Sequence, residues 1–253
     1  MISKEFFPFK NLSSPNLVCA FSSRHFKDMS LCRADTLDTK YQGEEFLNNR
    51  RDFLLGLEVN YKDLVCAKQV HGSNARFVTE NQIGSGALSY KTALDDTDAL
   101  ITDRKNLPLA MFTADCLPVF LFDYAVSAIG LVHAGWRGSR ERIIVKTIRL
   151  MREKFNTKIS NLCLAFGPAI KSCCYEVGED FNEYFSFGLE KRDTHYYFDL
   201  MGVNKRQALE LGVREENIFD SQLCTSCRLS DFFSYRKEGP GCARMLSVIM
   251  LRK

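Results

Sequence analysis

A chain of 253 residues with 45% hydrophobic and 26% charged side chains can bury a sizeable core, which excludes a disordered or fibrous protein. Its 34 Lys and Arg against 31 Asp and Glu leave a formal net charge of +3, with basic residues spread among acids, so no nucleic-acid partner is expected. No apolar stretch approaches membrane-spanning length, and the opening MISKEFFPFKNL lacks the order of a signal peptide, so a cytoplasmic protein without a membrane partner is expected.

Leu17 to Phe21 reads as a strand, and Ser22-Ser23-Arg24-His25 as the loop after it. From Glu44 to Leu57 apolar residues recur at helical spacing, with Gly56 near the end. Residues 64–70 predict a strand delivering His71-Gly72 at its tip, and residues 75–79 a second. The Gly, Ser and Asp residues of 81–97 mark a flexible surface segment rather than a domain linker. Residues 98–102 and 107–112 are further strands. Pro118 has no N–H to give a ladder, so the run 107–123 is expected to be two strands bent at Asp115-Cys116-Leu117-Pro118.

Residues 128–132 form a strand that ends at His133. After the Gly135…Gly138 turn a helix is expected, with Ser139 as N-cap and Ile143, Ile144, Ile148 and Met151 on its inner face. Strand 161–166 stops at Gly167-Pro168. Helices are expected at 179–185 and 203–211, the second closed by Gly212, and strands at 217–219 and 245–251. This mixture without strict alternation predicts an α/β (mixed α+β) layered fold, and the length is compatible with one large domain or two small ones.

The apolar run 113–139 is interrupted twice by polar residues, and a polar group inside a buried run costs free energy unless it is paired. The first break offers Asp115 and Cys116, the second His133, Trp136 and Arg137 among glycines. With His71 they make two imidazoles and one thiolate at strand ends, a donor set with which zinc is held while its fourth position stays open. The competing reading satisfies each residue locally.

Asp115 offers a proton carrier or a turn cap. A helix opening beside Arg137 suits an anion such as phosphate, and Trp136 suits stacking on a flat ring or filling core. Among the ten cysteines, most of Cys19, Cys32, Cys66 and Cys163 have apolar surroundings and read as buried thiols. Cys224-Thr-Ser-Cys227 is a CxxC without a second pair and reads as structural; Cys173 or Cys174 could bring a thiol to the site, with burial expected for at least one. His25 and His195 lie in polar stretches and are expected to be solvated.

Lys68-Gln69-Val70-His71-Gly72, Asp98-Ala99-Leu100-Ile101-Thr102, Thr113-Ala114-Asp115-Cys116-Leu117-Pro118, His133-Ala134-Gly135-Trp136-Arg137-Gly138, Gly167-Pro168-Ala169-Ile170 with Cys173-Cys174-Tyr175-Glu176-Val177-Gly178, and Phe232-Phe233-Ser234-Tyr235-Arg236 stand in order over about residues 65–251. Together they closely resemble the YfiH/YlmD-type family, formerly described as multicopper polyphenol oxidoreductases or laccase-domain proteins. Two departures are Arg24-His25-Phe26-Lys27, where the family usually has Gly-Gly after the arginine, and Ala243-Arg244-Met245 in place of Gly-Arg-Met.

The resemblance implies Zn2+ held by His71, Cys116 and His133, and catalytic roles for Asp115, Cys116 and His71. It implies substrate or phosphate contacts from Arg24, Lys68, Gln69, Trp136, Arg137 and Cys173. The implied fold is one domain over residues 1–253, of layered β-sheets with flanking helices. The implied chemistry is phosphorolysis of adenosine, inosine and methylthioadenosine and deamination of adenosine, with purine nucleosides and phosphate as partners; the sequence does not fix the oligomeric state, and a monomer is favoured. One alternative is a copper-dependent polyphenol oxidoreductase using the two His, the Cys and Met111, although four histidines in the whole chain make a multicopper cluster hard to build. Others are a Cys–His hydrolase with Cys116 as nucleophile and a binding module braced by zinc.

Overall fold

The computed structural model describes residues 16–30 and 40–253; Cys32 and most of the opening segment lie outside them. In chain order come β1 (Leu17–Phe21), α1 (Lys40–Leu55), β2 (Val65–Cys66), β3 (Ala75–Phe77), β4 (Ala99–Thr102), β5 (Leu109–Thr113), β6 (Leu117–Asp123) and β7 (Ala128–Ala134). They are followed by α2 (Trp136–Arg140), α3 (Ile143–Phe155), β8 (Leu162–Phe166), β9 (Glu176–Val177), α4 (Phe181–Tyr184), β10 (Leu189–Arg192) and β11 (His195–Phe198). The last elements are α5 (Leu200–Glu210), β12 (Ile218–Asp220), α6 (Tyr235–Glu238) and β13 (Met245–Leu251).

Strand alternation sorts side chains into layers. In β13, Ile249 and Leu251 face the core shared with Phe120, Phe122, Ile129 and Leu131 of the neighbouring sheet, whereas Leu246, Val248 and Met250 face Phe53 and Leu54 of α1. The sheet β1-β13-β5-β2 therefore lies between α1 and the sheet β12-β8-β6-β7-β4-β3. The far face of the six-stranded sheet packs on α3 and α5 through Ile143, Ile144, Ile148, Met151, Leu200 and Val203. A small sheet, β10-β11-β9, sits beside it. β6 is buried on both faces, so it reads as an unbroken apolar run. Among the described residues no helix is long and apolar enough to cross a membrane.

The layered mixed fold agrees with expectation, but several local readings change. The strand expected over 64–70 is only Val65–Cys66; residues 67–70 form no strand beyond an isolated bridge from Ala67 to Leu94. Segment 81–97 is pinned: buried Arg50 donates to the carbonyls of Gly86 and Ala87, and Ala87 and Ala93 join the core under α1. Gly135, not Ser139, is the N-cap of the helix after β7; Ser139 lies inside α2 and accepts from Asn204. That helix stops after five residues, and α3 starts anew behind Arg142 in the left-handed conformation (φ 61°). Strands β9 to β11 and helix α6 escaped periodicity because each has at most four residues.

Candidate active site

The bend expected at Asp115–Pro118 is a passage between sheets. β5 ends in the four-stranded sheet and β6 begins in the six-stranded one, with Ala114-Asp115-Cys116 as the crossing. Asp115 takes φ 83°, which a β-bulky residue resists and a short polar one tolerates. Its strain is over-determined by its carboxylate, which accepts from Thr225 Oγ1 (2.6 Å), Ser234 Oγ (3.0 Å) and the Arg236 N–H (2.7 Å).

Strand register then gathers the three metal-type donors. Antiparallel β6 and β7 pair Leu117 with Ala134 and Pro118 with His133, so Cys116 stands at the end of β7. β4 pairs Ala99 with Val132, which sets Asp98 beside His133; β3 pairs Ala75 with Ala99, which brings the His71-Gly72 turn to the same edge. The ligand atoms of His71, Cys116 and His133 all lie within 4.8 Å of one another, and the two imidazole rings meet edge to face at 4.8 Å.

Asp98 is the hub that sequence reading passed over. It is fully buried, and its carboxylate accepts from the N–H groups of Val70 (3.2 Å), His71 (3.0 Å) and Gly72 (2.8 Å). It also meets His133 Nδ1 at 2.7 Å. One carboxylate thus fixes the His71 turn, where φ is 61°, and leaves His133 Nε2 for a ligand. A charged side chain heading a short apolar strand was the available signal.

Close packing here depends on two glycines. A Cβ at Gly135 would sit 3.2 Å from both Cys116 Sγ and His71 Cδ2, and one at Gly138 only 2.6 Å from the Gly72 carbonyl oxygen. Burial pushes the Cys116 thiol up, but the His133 and His71 imidazoles outweigh that and bring it down to about 6. His133 moves the other way: burial disfavours its cation, but Cys116 and Asp98 more than offset this and raise it. Burial would also raise the Asp98 carboxyl, yet His133 and the backbone N–H groups hold it below the usual range.

These donors open onto a cavity of about 600 Å³. Its walls carry aromatic rings of Phe112, Tyr90, Tyr175 and Tyr235 and the guanidinium groups of Arg137, Arg236 and Arg244. Burial raises the Tyr175 phenol well above its ordinary value, so it stays protonated. Tyr175, Arg236 and Arg244 lie in the motifs that carry the resemblance, and the fold brings all three to the cavity wall.

The other expected residues are placed differently. Gln69 lines the cavity with its amide committed to Phe112, donating to the carbonyl and accepting from the N–H, both at 2.8 Å. Trp136 lines it too, but stacks on Tyr184 (5.7 Å) and carries Arg137 on its ring (4.5 Å). Lys68 pairs with Asp95 at 2.7 Å, and Arg24 pairs with Glu238 at 2.7 Å and lies over Phe233; neither is among the cavity-lining residues. Cys173 is also off the cavity wall, exposed, with its sulfur 3.5 Å from that of Cys227. His25 and His195 are exposed as expected.

Residues 21–252 match the family model described as multi-copper polyphenol oxidoreductase laccase. A relative named purine nucleoside phosphorylase YlmD, from Geobacillus stearothermophilus, is 34% identical over 218 residues, covering 83% of this chain and 80% of the relative. Another, named adenosine deaminase RL5 and from an unknown prokaryotic organism, is 30% identical over 212 residues, covering 80% of each. The crystal structure of YlmD from Geobacillus stearothermophilus superposes with a TM-score of 0.86 at 30% identity, covering 94% of this chain and 93% of that one.

Proposed function

We propose a function from one premise: this chain belongs to the multi-copper polyphenol oxidoreductase laccase family. Our reading is a zinc-dependent purine nucleoside enzyme that performs phosphorolysis of adenosine, inosine and methylthioadenosine and deaminates adenosine to inosine. The observation that carries it is the pairing of a His71–Cys116–His133 donor set with an adjoining cavity of nucleoside size walled by aromatic rings and arginines. The names of the relatives, a phosphorylase and a deaminase, support the same chemistry.

The donors fit one zinc: two imidazoles and a thiolate, with His133 oriented through Nδ1 by a buried carboxylate. They do not fit several coppers. Among the described residues the remaining imidazoles are engaged elsewhere, His25 near Ser23 and His195 with Glu176, and the other group of metal-type donors is all thiol. When bound, zinc supplies Lewis-acid polarisation and lowers the pKa of water.

In phosphorolysis the bond from purine N9 to ribose C1′ breaks as a phosphate oxygen bonds C1′, and the purine leaves with a proton. Arg137 holds the phosphate; among the described residues no carboxylate pairs with it, so its forked donors are available. Tyr175 keeps its proton and so offers a hydroxyl on the wall that can donate a hydrogen bond to the nucleoside. Asp115 positions the site, since its carboxylate is already used by three donors that tie Thr225, Ser234 and Arg236 to the Cys116 turn. Gln69 likewise positions, by locking Phe112. Among the described residues nine cysteines are free thiols, which suits a reducing cytoplasm.

Incubation of the zinc-loaded protein with adenosine tests the reading. We expect adenine only with phosphate, and inosine without it; neither adenine, hypoxanthine nor inosine would contradict it. One observation favours a second reading: Cys116, His133 and Asp98 also form a thiolate–imidazole–carboxylate relay suited to a Cys–His hydrolase. Full activity after chelation, abolished by alkylating Cys116, would support that alternative.

A further inference from the structure

The fold joins two cysteine pairs that lie far apart in sequence. Cys173-Cys174 follows β8 and its Gly167-Pro168 bend, and Cys224-Thr-Ser-Cys227 follows β12. The four sulfur atoms all lie within 4.8 Å of one another, so the CxxC that lacked a neighbour in sequence has one in space. Cys227 Sγ is 3.3 Å from Cys174 Sγ and 3.5 Å from Cys173 Sγ.

A tetrahedral zinc with bonds of about 2.3 Å to sulfur places its ligand atoms about 3.8 Å apart, inside the range observed here. A disulfide needs sulfur atoms about 2.05 Å apart in one chosen pair, whereas Cys227 stands almost equally far from two partners. The backbone is arranged for a thiolate cluster as well. The bridge between Ala169 and Cys224 holds the two cysteine-bearing segments in register. All four thiols are free, and two of them, Cys173 and Cys227, are exposed.

We propose that Cys173, Cys174, Cys224 and Cys227 bind a second zinc ion, in a closed all-thiolate site that braces the cavity wall. Two segments meet there. Ile170 and Tyr175, on either side of the first pair, line the cavity; Thr225, inside the second pair, holds Asp115 at 2.6 Å. Four thiolates leave no open position for substrate, so the site is structural. This inference does not depend on the purine reading.

The test is metal analysis of the full chain purified with neither chelator nor added metal, beside thiol accessibility. We expect about two zinc ions per parent chain, about one in C224S/C227S and about one in C116S. In the parent, Cys173 and Cys227 should resist maleimide until a strong chelator is added, despite their exposure. That measurement needs no variant and stands even if C224S/C227S fails to fold. Prompt labelling of both cysteines before chelation, equal zinc in parent and C224S/C227S, iron with acid-labile sulfide, or a disulfide within the cluster would overturn the proposal.

Discussion

The two donor clusters of this molecule differ in donor type, mounting and surroundings. His71, Cys116 and His133 sit at strand ends, with Asp98 behind them and a cavity in front. Cys173, Cys174, Cys224 and Cys227 sit on two connecting segments and face one another. The first set offers three metal-type donors and an open side, as a catalytic zinc site would need; the second offers four that face one another, as a structural site would need. Cysteine alone therefore says little about role, and what stands beside the sulfur says most.

Breaking the first cluster should have the largest effect. His133→Ala removes a ligand and leaves Asp98 buried without its imidazole, so kcat/KM for adenosine should fall by about a thousandfold or more, roughly 4 kcal/mol of barrier. Asp98→Asn keeps the shape but loses the charge that orients His133 and the His71 turn; zinc affinity should fall by roughly 10- to 100-fold, read by competition with a chelating dye. Arg137→Gln should raise KM for phosphate about tenfold while phosphate-independent deamination changes little. An equal loss in both reactions would remove Arg137 from the phosphate site.

A pH measurement sharpens the electrostatic contrast. The Cys116 pKa is lowered to about 6, so its thiolate is present above that pH and lost as pH falls through it. Alkylation of Cys116 in chelator-treated protein should rise with a midpoint near pH 6, whereas an ordinary cysteine requires about 8.5. A midpoint near 8.5 would show that the imidazoles do not act on Cys116.

Much of the first cluster was legible in sequence because it interrupts an apolar run. Thr113–Ser139 announces Asp115-Cys116 and His133 as costly exceptions within β5 to β7, and Pro118 announces the bend. The layers were legible for the same reason, since β6, β7 and β13 are long enough to show their pattern. What was hidden depends on register. Asp98 reaches His133 only because β4 pairs with β7, and the partner of the CxxC lies fifty residues away across a parallel bridge from Ala169 to Cys224, so no local spacing could reveal either. Ser139 resembled a cap because local chemistry favours it, yet Gly135 holds that place where a side chain would strike Cys116 and His71.

The most direct measurement compares C116S with C224S/C227S for zinc content and adenosine turnover in parallel. The account predicts that each loses about one zinc, that C116S loses turnover, and that C224S/C227S retains turnover within about tenfold while melting at lower temperature. Turnover abolished in C224S/C227S with its first zinc still bound, or retained in full by C116S, would contradict the division of labour between the two clusters.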